Sequence, residues 1–554
     1  VTASHQGHAS RRPIARWDSE LCVVRAAERT ELVAAVAEAI ALARDHVDAP
    51  LACLARSLSH RTPEGRACLS LTARTMDEFA DKAEHALKRL AQPNCERIQD
   101  RSGIFFTADP LYAPGTVAFL FPGEGCQYPD MLRDLCLHFS EVRHEFDLVD
   151  AACRLVDDSF TPSAHIFTGP LEGGSESLWT MGAAVEAVSA ADTAMMRLFQ
   201  RLEIPVDAVV GHSSGEYVAL EMAGVLRFAD DDDHIALIRD GYRNIRALER
   251  RTDIPQGVLI SVGGVDEQHL HEVLDAHSGQ VLLAMHNCPH QFVLCSRPDL
   301  VEAVCRALAG KGALVQTLPF SRPYHTPWFE PARDGIRELF ARRRLHPPTI
   351  PLYSCATADR FPDDEEGIRE LCVDQWARRV RFDETIRKMH DDGIRLFVDV
   401  GPRGNLAAFA ADILKGRPHL ALAANRPLRS GITQLNLALA QLAAHGVPMR
   451  IDYLHEQRGT PLLEEVAGGA APTRAVRLPV ALPSARCDGV DLPALQPQPA
   501  PVPPPAAGAP VPPDSAVALL PDPMRAYFET MDQLIESQHK LVSRFLDPSG
   551  ELEP

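Results

Sequence analysis

The chain has 554 residues, too many for one ordinary domain, and 45% hydrophobic against 24% charged residues, so it can bury a large core and is not a disordered polymer. A formal net charge of −19 argues against nucleic acid or an anionic membrane as partner. No apolar run approaches the length of a membrane span, and the first residues, VTASHQGHASRRPIARW, lack an apolar signal core. The 13 cysteines are scattered without a C-x-x-C pair, and the 22 histidines show no metal-ligand spacing. A reduced, cytoplasmic protein without a metal centre is expected.

In chain order, residues 1–15 read as a loose tail. Residues 16–112 form a small α/β unit: LCVVRAA and CLSLTA are strand-like, ELVAAVAEAIALARDHV and MDEFADKAEHALKRLA helical. TVAFLFP, residues 116–122, is a buried strand running into the loop GEGCQYPDM. Over residues 113–425 strands alternate with helices, which predicts an α/β fold around a mostly parallel sheet. Within it, residues 256–320 carry a β-α-β-β-α-β pattern, the signature of an inserted ferredoxin-like subdomain. Residues 426–480 are helical at first and wrap back. Residues 481–523 are Pro- and Ala-rich, a stiff linker with no core of its own. In residues 524–546, apolar residues at 524, 528, 531, 535, 542 and 545 predict a lone amphipathic helix, which needs a partner surface.

The segment VVGHSSGEYVAL, residues 209–220, is the most chemically informative. Val209 and Val210 end a strand, Glu216 begins a helix, and Gly211 and Gly215 bracket Ser213. Such a turn thrusts the serine oxygen out at the strand end, facing the N–H groups of the next helix. Lipase-type hydrolases and acyltransferases both use this elbow. FPGEGCQY (121–128), Arg239 about one helix downstream, SRPYHTPWF (321–329) with His325, and LFVDVGPRGNLAAF (396–409) complete the pattern. Cys126 lies in the first of these loops and reads as a small residue.

Together these motifs resemble the acyltransferase domain of type I polyketide and fatty acid synthases, related to bacterial malonyl-CoA:acyl-carrier-protein transacylases. GEGCQYPDM and VGPRGNLAAF look most like iterative polyunsaturated-fatty-acid, enediyne and heterocyst-glycolipid synthases. The resemblance implies a hydrolase-like parallel-sheet core, preceded by the small linker domain that follows a ketosynthase. It also implies a Ser213–His325 pair, with the backbone carbonyl of Gln375 orienting the imidazole and the backbone N–H groups of Glu124 and Ser214 forming an oxyanion hole. Arg239 would hold a malonyl carboxylate, and Tyr324 and Asn287 would line the pocket. No tightly bound cofactor is implied. A CoA thioester is the donor, and the acceptor is the phosphopantetheine thiol of an acyl carrier protein. Ketosynthase or other synthase subunits would dock through the linker domain or the C-terminal helix. The chain carries no ketosynthase Cys-His-His set and no carrier attachment motif, which suggests a discrete transferase or a piece of a larger one.

Three departures from the family pattern carry expectations. Glu124 stands where relatives have Gln; its side chain is expected to turn away from the oxyanion and pair with a cation. The acidic run 230–233 holds an extra Asp, so Arg239 keeps its place if that residue lies in the loop before the helix; otherwise Arg243 or neither serves. RPYH, residues 322–325, puts the large Tyr324 where a bulky ring should favour malonyl over methylmalonyl. Two other readings stay open at this level: an acyltransferase or proofreading thioester hydrolase for a non-dicarboxylate acyl group, and a non-catalytic docking module.

Overall fold

The computed structural model describes residues 17–61, 65–157, 161–167, 178, 181–265, 267–319 and 322–467. The N-terminal tail, the Pro/Ala-rich linker and the amphipathic helix read from the sequence lie outside the described residues, as does the end of the wrap-back segment.

The strands β1 (Glu20–Ala26), β2 (Ala67–Ala73), β3 (Arg97–Asp100) and β4 (Ile104–Thr107) pair antiparallel in the order β1-β2-β4-β3. Helices Arg29–Asp45, Leu51–Arg61 and Met76–Leu90 accompany this sheet. Thr75 caps the last of them, its side chain accepting from the Glu78 N–H. Sequence reading missed the helix at 51–61 and the hairpin β3–β4. RIQD and IFFT, four residues each, are too short to show a period.

The remaining strands follow in chain order. They are β5 (Val117–Phe121), β6 (Ala208–Gly211), β7 (Val258–Gly263), β8 (Val281–Cys288), β9 (Gln291–Ser296), β10 (Leu314–Thr317), β11 (Leu352–Ser354), β12 (Asp359–Arg360), β13 (Val380–Arg381), β14 (Leu396–Asp399) and β15 (Leu420–Ala423). The central sheet has the order β12-β11-β6-β5-β14-β15, and all neighbours except the β11–β12 hairpin are parallel. Every residue of β5, VAFLF, is buried, as a strand covered on both faces requires. A second sheet, β10-β7-β9-β8-β13, is built from the segment 258–317 in the order β-α-β-β-α-β, with β13 added in parallel at the edge. It has its own apolar core around Ile260, Leu270, Phe292 and Leu308.

Parallel strands put their carboxyl ends on one edge. The register Phe121↔Gly211, Leu120↔Asp399 and Asp399↔Ala423 therefore brings the loops after β5, β6, β14 and β15 together. This is where open α/β sheets bind ligands. Among the described residues no helix is long and apolar enough to cross a membrane.

Candidate active site

Ser213 follows β6 at the head of a short 3-10 turn, Ser213–Gly215, that leads into the helix Glu216–Met222. Its φ of 55° is left-handed, a strained conformation for a residue with a side chain. The strain is imposed by close packing. A Cβ at Gly211 would lie 2.2 Å from the Glu216 backbone, and one at Gly215 would lie 2.1 Å from the Phe121 carbonyl oxygen. Only glycine fits on either side of the turn.

Ser213 Oγ lies 2.7 Å from His325 Nε2. His325 Nδ1–H donates to the carbonyl of Gln375 at 3.0 Å, which fixes the tautomer and leaves Nε2 as acceptor. The backbone N–H of His325 donates to the Trp376 carbonyl at 2.8 Å, and the imidazole stacks on the Trp376 ring at 5.9 Å and 11°. The residue is buried, and burial lowers its pKa to about 4. Its ring is therefore neutral at physiological pH. A hydroxyl bonded to a neutral, oriented imidazole can act as a nucleophile with its base. The residues 322–329 and 375–377 thus meet the elbow although 112 positions separate Ser213 from His325. Trp376 was not anticipated; its neighbour Gln375 was the only cue.

The loop after β5 also packs on the elbow. A Cβ at Gly123 would come within 2.5 Å of the His212 carbonyl oxygen. The Glu124 N–H donates to Ser214 Oγ at 3.1 Å, so this hydroxyl holds a donor that the family pattern assigns to an oxyanion. The Glu124 side chain differs from expectation. It pairs with no cation among the described residues; Oε1 is buried without a hydrogen-bond partner. Burial, and then the negative charge of Glu249, push its pKa up to about 8. Where no cation is within reach, protonation is the cheaper way to bury a carboxyl. Below about pH 8 the group is neutral beside the loop, and above it an anion appears there. Acyl-enzyme formation is therefore expected to slow above about pH 8, and Glu124→Gln to hold its plateau through that range in a stopped-flow pH–rate profile.

The motif VGPRGNL clamps the same loop. Arg403, at φ 75°, donates from Nη2 to the Gln127 carbonyl at 2.8 Å and from Nε to the Cys126 carbonyl at 3.4 Å. Cys126 itself is buried, and its thiol is pushed up to about 12, mainly by burial. It is an inert small residue.

The predicted pocket residues have these positions. Arg239 lies on the helix Asp231–Glu249, which Asp230 caps by accepting from the Asp233 N–H. The acidic run is thus the cap and first turn of the helix, where its charge is favourable, and not a loop insertion; the condition that would keep Arg239 in place is not met, and Arg243 stands beside it as a second candidate. The Arg239 guanidinium donates through Nε and Nη2 to Asp240 Oδ1, at 3.0 and 2.8 Å, and Arg243 reaches the same oxygen at 3.4 Å. Tyr324 is buried against Phe329, edge to face at 5.1 Å. Both ends of the Asn287 amide are occupied: Oδ1 accepts from His212 Nε2–H at 2.7 Å, and Nδ2 donates to Gln291 at 2.6 Å. Asn287 therefore braces the residue before the serine. Among the described residues, no group of three His, Cys, Asp or Glu side chains could hold a metal ion.

Residues 118–426 match the acyl transferase domain family. The malonyl CoA-acyl carrier protein transacylase of Bacillus subtilis is 28% identical over 292 residues, which are 52% of this chain and 86% of that protein. One polyunsaturated fatty acid synthase polypeptide of Thraustochytrium sp. is 25% identical over 363 residues, 63% of this chain but only 12% of that much longer protein. The crystal structure of the acyltransferase domain from the second module of the salinomycin polyketide synthase superposes with a TM-score of 0.58 at 27% identity, covering 79% of this chain and 96% of that one. Since the family match spans more than half of the chain, this protein belongs to the acyl transferase domain family.

Proposed function

We propose that this acyltransferase loads malonyl from malonyl-CoA, through an ester on Ser213, onto the phosphopantetheine thiol of an acyl carrier protein in polyketide or fatty acid biosynthesis. The observation that carries the reading is the 2.7 Å bond between Ser213 Oγ, on its strained elbow, and the buried, neutral His325. Ser213 attacks the thioester carbonyl while His325 Nε2 takes its proton. The oxyanion displaces the Ser214 hydroxyl from the Glu124 N–H and takes that donor together with the Ser214 N–H. Collapse expels CoA, which receives the proton from His325. The carrier thiol then gives its proton to His325, attacks the serine ester and regenerates Ser213. The scheme is ping-pong and needs no resident cofactor. Asn287 and the Gln375 carbonyl hold the histidines around the serine, and the fixed Tyr324 ring crowds an α-branched acyl group.

The strand order of the central sheet supports reading residues 113–425 as a hydrolase-like core, and the order β10-β7-β9-β8 supports a ferredoxin-like insert at 256–320. Residues 16–112 and 426–480 are then the preceding linker domain and the wrap-back segment. The test is intact-protein mass spectrometry after brief mixing with malonyl-CoA, methylmalonyl-CoA or acetyl-CoA. A malonyl adduct that a holo-carrier protein discharges is expected. Acetyl or long-chain adducts in its place would overturn the malonyl assignment, and no adduct from any thioester would overturn the transferase reading.

A further inference from the structure

Among the described residues many arginines are tied to carboxylates. Arg197 lies between Glu145 and Glu221, and Arg381 and Arg387 pair with Glu384 and Asp383. The loop after β15, NRPLRS, is different. Among the described residues neither Arg426 nor Arg429 forms an ion pair; Arg429 donates to the amide oxygen of Gln434 at 2.9 Å, and Asp399 acts on Arg426 only from further away. Both arginines are exposed. Arg426 nonetheless rests against the protein: a Cβ at Gly404 would lie 3.5 Å from its Nε. Partial burial, and then repulsion from Arg429, lower its pKa. Two guanidinium groups on one loop thus repel each other, and neither forms an ion pair among the described residues. The loop is fixed at both ends. Asn425 bonds the Tyr128 hydroxyl, and Ser430 Oγ donates to Asp134 at 3.0 Å.

The position relative to Ser213 is set by the sheet. β6 and β15 are three strand spacings apart in the order β6-β5-β14-β15, roughly 14 Å at ~4.8 Å each, and their carboxyl ends share an edge. A path from Ser213 to Arg426 crosses the Glu124 loop and then the Gly401–Gly404 turn. An extended chain of cysteamine, β-alanyl and pantoyl units, with a thioester at one end and a phosphate at the other, spans such a path.

We propose that Arg426 and Arg429 form a binding site for the phosphate at the far end of the pantetheine arm, a group that CoA and a holo-carrier protein share. The assignment rests on the transferase function proposed above and adds the site that measures the arm's length. Guanidinium groups suit a phosphate because they offer paired N–H donors with a fixed charge.

The test compares phosphate-bearing with phosphate-free partners in the full chain. As donors, malonyl-CoA is set against malonyl-pantetheine; as acceptors for the malonyl-enzyme, a holo-carrier protein against free pantetheine. The readout is the ratio of kcat/KM within each pair. In Arg426→Gln/Arg429→Gln this ratio is expected to fall about tenfold in at least one pair, as the loss of charge-assisted bonds implies. Arg426→Lys/Arg429→Lys should retain most of it, which separates charge from loop damage. A fall confined to the donor pair assigns the site to CoA, and a fall confined to the acceptor pair assigns it to the carrier. Ratios unchanged in both pairs overturn the site while leaving the transferase reading intact. Failure of Ser213 to acquire an acyl group from either donor overturns both.

Discussion

Ser213→Ala is expected to abolish the acyl adduct and to lower transfer to a carrier by on the order of 10⁴-fold or more, the usual scale for loss of a covalent nucleophile. The fold should survive, because the bond of Ser213 Oγ to His325 ties no elements together that packing does not already hold. On the proposed mechanism His325→Ala should cost nearly as much, and the double variant little more, as for residues that act as one unit. The pH dependence follows from burial. His325 is a base only when neutral, and its pKa is lowered to about 4. Adduct formation should therefore rise through that acid range and stay level at neutral pH. An acid limb centred near the ordinary histidine value would mean that the imidazole is more solvated than its packing on Trp376 implies. Ser213→Ala retaining an adduct would place the nucleophile elsewhere.

The second large effect concerns Arg239. If it takes the malonyl carboxylate, Arg239→Ala should lower kcat/KM for malonyl-CoA by about 10- to 100-fold, the range of one or two hydrogen bonds to a charged group. Acetyl-CoA, which has no carboxylate, should lose nothing. Asp240 makes the measurement informative. It occupies the Nε side of the guanidinium, leaving the opposite edge for a second carboxylate. Equal losses for malonyl and acetyl donors would show that Arg239 supports the helix Asp231–Glu249 rather than the substrate. A large loss in Arg243→Ala instead would mean that the neighbour has taken the role.

The parts of the site that chain-local chemistry dictates were legible in the sequence. Gly211 and Gly215 could be read because no other residue fits between the Glu216 backbone and the Phe121 carbonyl. The Gln375 carbonyl could be read through the family pattern. What escaped reading depends on partners distant in sequence, on side-chain rotamers, or on elements too short to show a period. Whether Glu124 meets a cation depends on residues far along the chain, and the structure brings Glu249 and Tyr324 toward it rather than a cation. The occupation of the Glu124 N–H by Ser214 Oγ, and of Arg239 by Asp240, depends on rotamers that no spacing rule encodes. The short strands β3 and β4 failed for lack of length, whereas the fully apolar β5 and the amphipathic helix Met76–Leu90 were unmistakable.

The helix Gly431–Ala444 lies against β1, β2 and β4, and Asn436 donates to the Ser19 carbonyl at 2.9 Å. Nearby, Arg458 meets Glu20 through two bonds of 2.7 and 2.8 Å, both groups buried, across 438 positions of chain. Breaking such a pair by removing one partner costs about 3–5 kcal/mol. The segment that matches the acyl transferase family, 118–426, contains neither end of this clasp. Any recombination that transplants the catalytic segment alone therefore leaves behind the two pieces of chain that close on each other. A graft between assembly lines has to be cut outside the span from Glu20 to Arg458, so the unit that can be inherited intact is longer than the segment that matches the family.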